Sequence, residues 1–85
     1  SYVGLGQICL QNENLSEAEK LATKAIEIYP DLAIAYKLLA EVYIIRGLFN
    51  EARSKIEKAI ELDPNYKDYQ NLLKDIQDRM VDIRD

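Results

Sequence analysis

The chain has 85 residues, of which 48% are hydrophobic and 31% charged, and its net charge is −4. This length allows one domain with a single modest core, and the apolar share excludes a disordered acidic tail. The negative charge, with Lys and Arg scattered among Asp and Glu, argues against nucleic-acid binding, which uses a basic patch. No stretch approaches the ~20 apolar residues of a membrane span.

The composition also argues against catalysis. The chain has no histidine, the commonest general base and metal ligand. It has no phosphate-binding glycine loop and no calcium-loop spacing. We therefore predict no enzymatic activity, no metal and no cofactor. The single cysteine, Cys9, cannot form an internal disulfide, and no signal peptide opens the chain, so we expect a cytoplasmic protein.

Two helices are predicted in the first third of the chain. Apolar residues spaced by three and four predict a helix over residues 2–12, and a polar turn follows at Asn12–Asn14. Ser16, with Glu19 three residues later, fits a capping box. It would open a second helix over residues 17–29, which ends before Pro30.

Three further helices follow in the remaining residues. Asp31, Asn50 and Asn65 are predicted as their N-terminal caps, and Gly47 as the left-handed residue of the turn between the first two. The predicted ranges are 32–46, 51–62 and 66–83. Because the links are only a few residues long, successive helices should be antiparallel. The sequence thus predicts an all-α fold of five helices.

The fifth predicted helix has one apolar and one polar side. The apolar side carries Tyr66, Tyr69, Leu73, Ile76, Met80 and Ile83. The polar side carries Lys67, Asp68, Asn71, Lys74, Asp75, Asp78 and Asp82. A polar outer side is what the last helix of a stacked array needs, so we predict that the array ends with this helix.

The chain also repeats itself at an offset of 34 residues. The identical pairs are Tyr2/Tyr36, Leu5/Leu39, Glu17/Glu51, Ala18/Ala52, Lys24/Lys58, Ala25/Ala59, Ile26/Ile60, Glu27/Glu61 and Pro30/Pro64. Two unrelated amphipathic helices would not share a KAIE segment and a proline at one fixed offset. A period of this length indicates a stacked helical repeat.

These residues resemble the pattern of the tetratricopeptide repeat family. The second unit carries it at Tyr36, Leu39, Ala40, Tyr43, Gly47, Phe49, Ala52, Ile56, Ala59 and Pro64, and the segment KAIELDPNY is typical of the family's second helix. The first unit carries it at Tyr2, Leu5, Gly6, Leu15, Ala18, Ala22, Ala25 and Pro30, with Cys9 and Glu13 as departures. The resemblance implies a short right-handed α-solenoid. Its parts would be an N-terminally truncated repeat over 1–31, a repeat over 32–65 and a capping helix over 66–85. Tyr2, Tyr36 and Tyr43 are expected in the core.

The resemblance further implies a concave groove, lined by the first helix of each repeat, that binds a protein or peptide. The matching positions are Val3, Gln7, Leu10, Gln11, Ile34, Lys37, Leu38, Glu41, Ile44, Ile45, Asn71 and Asp75. Members that grip the carboxylate tails of chaperones use Lys, Arg and Asn at such positions. Glu41 and Asp75 would repel a carboxylate, so the sequence favours an apolar partner segment.

Two other functions remain open at this stage. The chain could be a structural unit that self-associates through its N-terminal edge, where Ile8, Cys9 and Ala22 would be partly uncovered. It could also be a regulatory or anchoring piece of a larger enzyme. We expect Cys9 to be a structural residue, because an activated thiol needs an electropositive and partly exposed setting.

Overall fold

Five α-helices make up the fold in the computed structural model, which describes residues 1–84 and the side chains of residues 1–81. They are α1 (Tyr2–Gln11), α2 (Leu15–Ile28), α3 (Ala33–Ile45), α4 (Phe49–Leu62) and α5 (Lys67–Arg84). The described residues contain no strand. The all-α fold of five antiparallel helices is therefore confirmed.

The predicted N-terminal caps were wrong. Ser16 and Asn50 lie inside helices, while Asp31 and Asn65 lie two residues before the first helical residue. The helices α2, α3 and α4 begin after Asn14, Leu32 and Leu48, none of which makes a side-chain capping bond. The half-buried Leu15 and Phe49 open α2 and α4, and packing of these apolar residues accounts for the earlier start.

The two turns within the hairpins have the same backbone conformation. Glu13 has φ 63° and Gly47 has φ 78°, and they are separated by the repeat offset. In each turn a backbone N–H reaches back across the helix end, from Asn14 to Cys9 and from Leu48 to Tyr43. The glycine of the second turn is thus used as predicted. The first turn forces a glutamate into the left-handed region.

The core is centred on α3, which packs against α1, α2 and α4. Leu38 is completely buried, together with Ala22 and the nearly buried Leu39. A second cluster joins α3, α4 and α5 around Ala40, Ile56 and Ile76. Small residues let the helices approach closely: a Cβ placed on Gly6 would lie 2.5 Å from Leu38 Cδ2.

The apolar side of α5 closes this core. Tyr69 and Ile76 are buried, and Leu72, Leu73 and Met80 are partly buried against the same cluster. The polar residues predicted on the other side are exposed wherever their side chains are described, at Lys67, Asp68, Asn71, Lys74, Asp75 and Asp78. Asp82 and Ile83 lie outside the residues with described side chains. Tyr66, expected on the apolar side, is exposed, because it precedes the helix.

The N-terminal edge differs from the prediction in two residues. Tyr2 is exposed rather than in the core, whereas Tyr36 and Tyr43 are half-buried at the edge of a cluster. Ala22 is completely buried by α3 rather than partly uncovered. Ile8 is exposed and Cys9 half-buried, as expected. The open face of the edge thus belongs to α1 and not to α2.

Candidate functional site

A cavity of about 610 Å³ opens where α1 and α3 begin and α2 ends. These three helix ends meet because α2 runs antiparallel to the other two. The buried side chains of Val3 and Ala25 lie at its base, in a cluster that also holds Ala35. Ile28 and Tyr29 form its exposed rim. The folded chain therefore leaves concave apolar surface in water at this end.

The lining of the cavity carries no charged side chain among the described residues. Gln7 supplies its largest polar group. Asp31, the charged residue of the turn between α2 and α3, lines a separate hollow of about 370 Å³. A neutral apolar group can enter this cavity without leaving an ionised side chain unpaired.

An ion pair lies on α3 beyond the cavity. Lys37 Nζ is 3.5 Å from Glu41 Oε1, and both side chains are about 70% covered, with 28% and 30% of their surfaces exposed. On α5, Asp75 Oδ2 accepts a hydrogen bond of 3.1 Å from Arg79 Nε. The charges at these positions are therefore partly neutralised within the protein. The surface is less acidic than the sequence alone indicates.

The far end of α3 presents a different apolar group. Ile45 is exposed, and Ile44 beside it is half-buried against the core. Leu10, near the end of α1, is half-buried against Ala22 and Leu38. An exposed isoleucine at a helix end has no role in the packing, so it is available for a contact with another molecule.

The structure places the predicted groove residues unequally. Val3, Gln7 and Ile34 line one cavity, and Lys37 and Glu41 form one ion pair. Leu38 is completely buried, so its side chain cannot touch a ligand; it fills the space beside Gly6 instead. Gln11, Asn71 and Asp75 are exposed, and Leu10 and Ile44 half-buried, but the structure does not gather these five into a shared cavity.

Four lining residues were missed from the sequence: Ala25, Ile28, Tyr29 and Leu32. They come from the end of α2 and the turn after it. A signal was present, because Ile28 and Tyr29 place two large apolar residues beside the helix-ending Pro30. The resemblance directed attention to first helices only.

A hydrogen-bonded link joins α2 to α3 away from the cavity. Glu19 Oε2 accepts a hydrogen bond of 3.0 Å from the Tyr43 hydroxyl, and Glu19 Oε1 accepts one of 2.6 Å from Arg46 Nη1. The hydrogen bond from Arg46 lowers the pKa of Glu19 below its usual value. Burial, followed by the hydrogen bond to Glu19, raises the pKa of Tyr43. This link is structural and connects the two hairpins.

Residues that could support catalysis or metal binding are not gathered anywhere in the described part of the chain. Among residues 1–84, no three His, Cys, Asp or Glu side chains come together as a metal site. No described helix is both long enough and apolar enough to cross a bilayer.

A profile of the tetratricopeptide repeat matches residues 9–76 of the chain. The chain belongs to the tetratricopeptide repeat family. The crystal structure of YrrB, a TPR protein with an unusual peptide-binding site, is similar with a TM-score of 0.87 and 23% sequence identity. The likeness covers 93% of this chain and 41% of that one, so the chain spans less than half the length of YrrB. At this identity the likeness shows the fold. A comparison with curated proteins gave no match.

The tetratricopeptide pattern explains why small residues recur at the helix contacts. Ala18 and Ala52, which share one position of the repeat, are both completely buried, and so is Ala59. Ala25, one repeat before Ala59, lies at the base of the cavity. A larger residue at this position would fill the cavity. The repeat therefore leaves room at the cavity for the same reason that it leaves room between its helices.

Proposed function

We propose that this tetratricopeptide protein binds a segment of a partner protein on the surface formed by α1, α3 and α5. The open apolar cavity at the start of α1 and α3 carries the proposal. Val3, Gln7 and Ile34, three positions that the family resemblance assigns to a groove, line it together. Its rim, Ile28 and Tyr29, is apolar surface exposed to water, and burial of such surface favours association.

The proposed contact surface runs along α3 from Ile34 to Ile45. These residues are eleven positions apart, which is about 16 Å along a helix. An extended peptide covers this distance with roughly five residues. The surface retains Val3, Gln7, Leu10, Gln11, Ile34, Lys37, Glu41, Ile44, Ile45, Asn71 and Asp75, gains Ile28 and Tyr29, and loses Leu38.

Two further observations support a polypeptide ligand. The cavity lies between helices of a repeat array, where neighbouring units create an extended binding surface. YrrB, which shares the fold, has a peptide-binding site. The proposal includes one repeat over 1–31, a second over 32–65 and a capping helix over 66–85, with no enzymatic activity, no nucleic-acid binding and a cytoplasmic location.

Selection from a library of displayed random peptides tests the proposal. We expect the folded chain to enrich peptides that bind in solution with measurable affinity. Ile45→Asp should weaken their binding without loss of helicity by circular dichroism, because this side chain is 58% exposed. Val81→Asp is the matched control: it is 56% exposed, lies near the end of α5 and is outside the proposed surface.

Three results would contradict this proposal. The first is that the folded chain enriches no peptide above background. The second is that Ile45→Asp and Val81→Asp weaken binding equally, which would mean a general effect of charge. The third is that Ile45→Asp unfolds the protein, which would make Ile45 a core residue.

A second candidate function is self-association through α1. Leu5 and Ile8 are exposed, although their counterparts one repeat later, Leu39 and Val42, are buried. The face of α1 is therefore of a kind that a helix covers elsewhere in the same chain. Sedimentation equilibrium at several concentrations tests this function, and a strict monomer would remove it. Ile8→Lys should abolish any dimer that forms.

A further inference from the structure

The chemistry of the ligand can be inferred by comparing two equivalent corners of the protein, and this inference rests on the proposed function. We define the first corner as the turn between α2 and α3 with the cavity beside it. The second corner is the turn between α4 and α5. The repeat offset relates Tyr29 to Asp63 and Leu32 to Tyr66. The two corners therefore occupy corresponding places in the array but differ in chemistry.

The first corner is apolar. Ile28, Tyr29 and Leu32 line the cavity, and its base is formed by buried side chains. A charged group entering it would lose hydration without gaining a partner, at a cost of several kcal/mol. At about 610 Å³ the cavity falls in the range of roughly 300–1,000 Å³ that is usual for ligand sites. It accepts a large apolar side chain, including an aromatic ring.

The second corner is acidic and aromatic. The ring of Tyr66 is exposed and stands edge-to-face against the buried Tyr69, with ring centres 4.7 Å apart. Hydrogen bonding to Asp68 raises the pKa of Tyr66, and the charge of Asp63 adds to the effect, so both carboxylates lie beside this ring. Carboxylates next to an exposed aromatic face suit a cationic side chain.

The remaining charges near this surface are already engaged. Lys37 pairs with Glu41, and Arg79 pairs with Asp75. Asp63 and Asp68 form no ion pair with any described residue. Asp68 also lies two turns before Asp75 on one face of α5. Leu72 lies between them and packs in the cluster that holds Ala33 of α3, so this face borders α3. Negative charge is therefore left over at the second corner.

We propose that the ligand is a peptide segment that places a large apolar side chain in the first corner and a basic side chain at the second. Neighbouring packed helices are about 8–10 Å apart. An extended chain advances about 3.3 Å per residue. The two ligand residues should therefore be about three positions apart. An acidic ligand is excluded by the second corner.

A tryptophan-labelled peptide tests the proposal, because the protein itself contains no tryptophan. The probe is a capped peptide of Gly and Ser with one Trp and, three residues away, one Arg, made in both sequence orders. Transfer of the indole into the cavity should shift its emission to shorter wavelength on titration with protein. The same peptide with Glu in place of Arg should bind more weakly by roughly two- to five-fold at low salt, the change expected for an exposed ion pair.

Two pairs of variants assign the effects to the corners. Ile28→Lys should weaken binding roughly tenfold or more, as expected for loss of a buried anchor. Ile8→Lys, at a residue of similar exposure outside the cavity, should leave binding unchanged. Asp68→Asn should remove the preference for Arg over Glu, whereas Glu57→Gln on α4 should not. Tyr29→Lys, at an exposed rim position, repeats the first comparison should Ile28→Lys unfold.

The outcomes separate this inference from the proposed function. Displayed peptides that bind the chain but lack the apolar–basic pair, or a Trp–Arg probe that ignores Ile28→Lys and Tyr29→Lys, would overturn the inference and leave peptide binding standing. Failure of both the library and the probe would overturn both. An equal loss in Asp68→Asn and Glu57→Gln would show that only net charge attracts the basic residue, and the second corner would be rejected.

Discussion

The hydroxyl of Tyr43 on α3 donates a hydrogen bond to the carboxylate of Glu19 on α2, across the junction of the two hairpins. Arg46, one turn after Tyr43, donates to the other oxygen of the same carboxylate. Glu19 therefore receives two donors from the following repeat. The side chains of Glu19 and Arg46 are only 33% and 28% exposed, so water screens this pair less than a fully exposed one.

A double-mutant cycle on this link should reveal coupling between the hairpins. We expect Glu19→Gln and Arg46→Met to show an interaction free energy of about 0.5–1.5 kcal/mol, because each variant removes the same charge-assisted hydrogen bond. Urea unfolding followed by circular dichroism measures it. The exposed pair of Lys58 and Glu61 is the control and should give a coupling of about 0–0.5 kcal/mol. Equal coupling in both pairs would contradict the special role of Glu19.

The same link predicts how stability depends on pH. The pKa of Glu19 is lowered in the folded protein from a model value of 4.5. A lowered carboxyl pKa means that the unfolded chain binds a proton more readily. The stabilisation is thus complete above the unfolded pKa and is lost as the pH falls through the folded pKa. Urea midpoints measured below about pH 4.5 should fall less steeply in Glu19→Gln than in the original protein. Parallel slopes would show that other carboxylates account for the acid sensitivity.

The close approach of α1 to α3 makes a further prediction. Gly6→Ala should destabilise the protein by about 1–3 kcal/mol, because its Cβ would lie 2.5 Å from Leu38 Cδ2 and Leu38 is completely buried. Gly4→Ala is the control in the same helix. Its Cβ would meet only Ser1 Oγ at 3.3 Å, so the gain in helix propensity of up to about 1 kcal/mol should appear. Thermal unfolding compares the two. A stable Gly6→Ala variant would mean that Leu38 adopts another rotamer without cost.

The sequence predicted those features that follow from periodicity and from the repeat offset. The offset relates Glu13 to Gly47, and both residues adopt positive φ. It did not predict caps, because packing of Leu15 and Phe49 extends α2 and α4 beyond Ser16 and Asn50. Local capping rules describe an isolated helix end, whereas these ends are set by contacts with other helices.

The candidate site was predicted only in part. Val3, Gln7 and Ile34 follow from repeat positions, but the depth of Leu38 depends on how closely Gly6 lets α1 approach. The rim at Ile28 and Tyr29 depends on where three helix ends meet. Neither property is encoded in one helical stripe. A tertiary arrangement was needed to show them.

The two hairpin turns yield a final pair of opposite predictions. Glu13 and Gly47 hold the same left-handed backbone, which costs a non-glycine residue roughly 1–2 kcal/mol. Glu13→Gly relieves this strain but adds about 0.5–1 kcal/mol of unfolded-chain entropy, so a net stabilisation of up to about 1 kcal/mol is expected. Gly47→Ala should destabilise by about 1 kcal/mol or somewhat more. No atom lies within 4 Å of a Cβ added at Gly47, so this effect comes from the backbone and not from a clash. Chemical unfolding of both variants measures the difference, and changes of the same sign would show that the two turns are not equivalent.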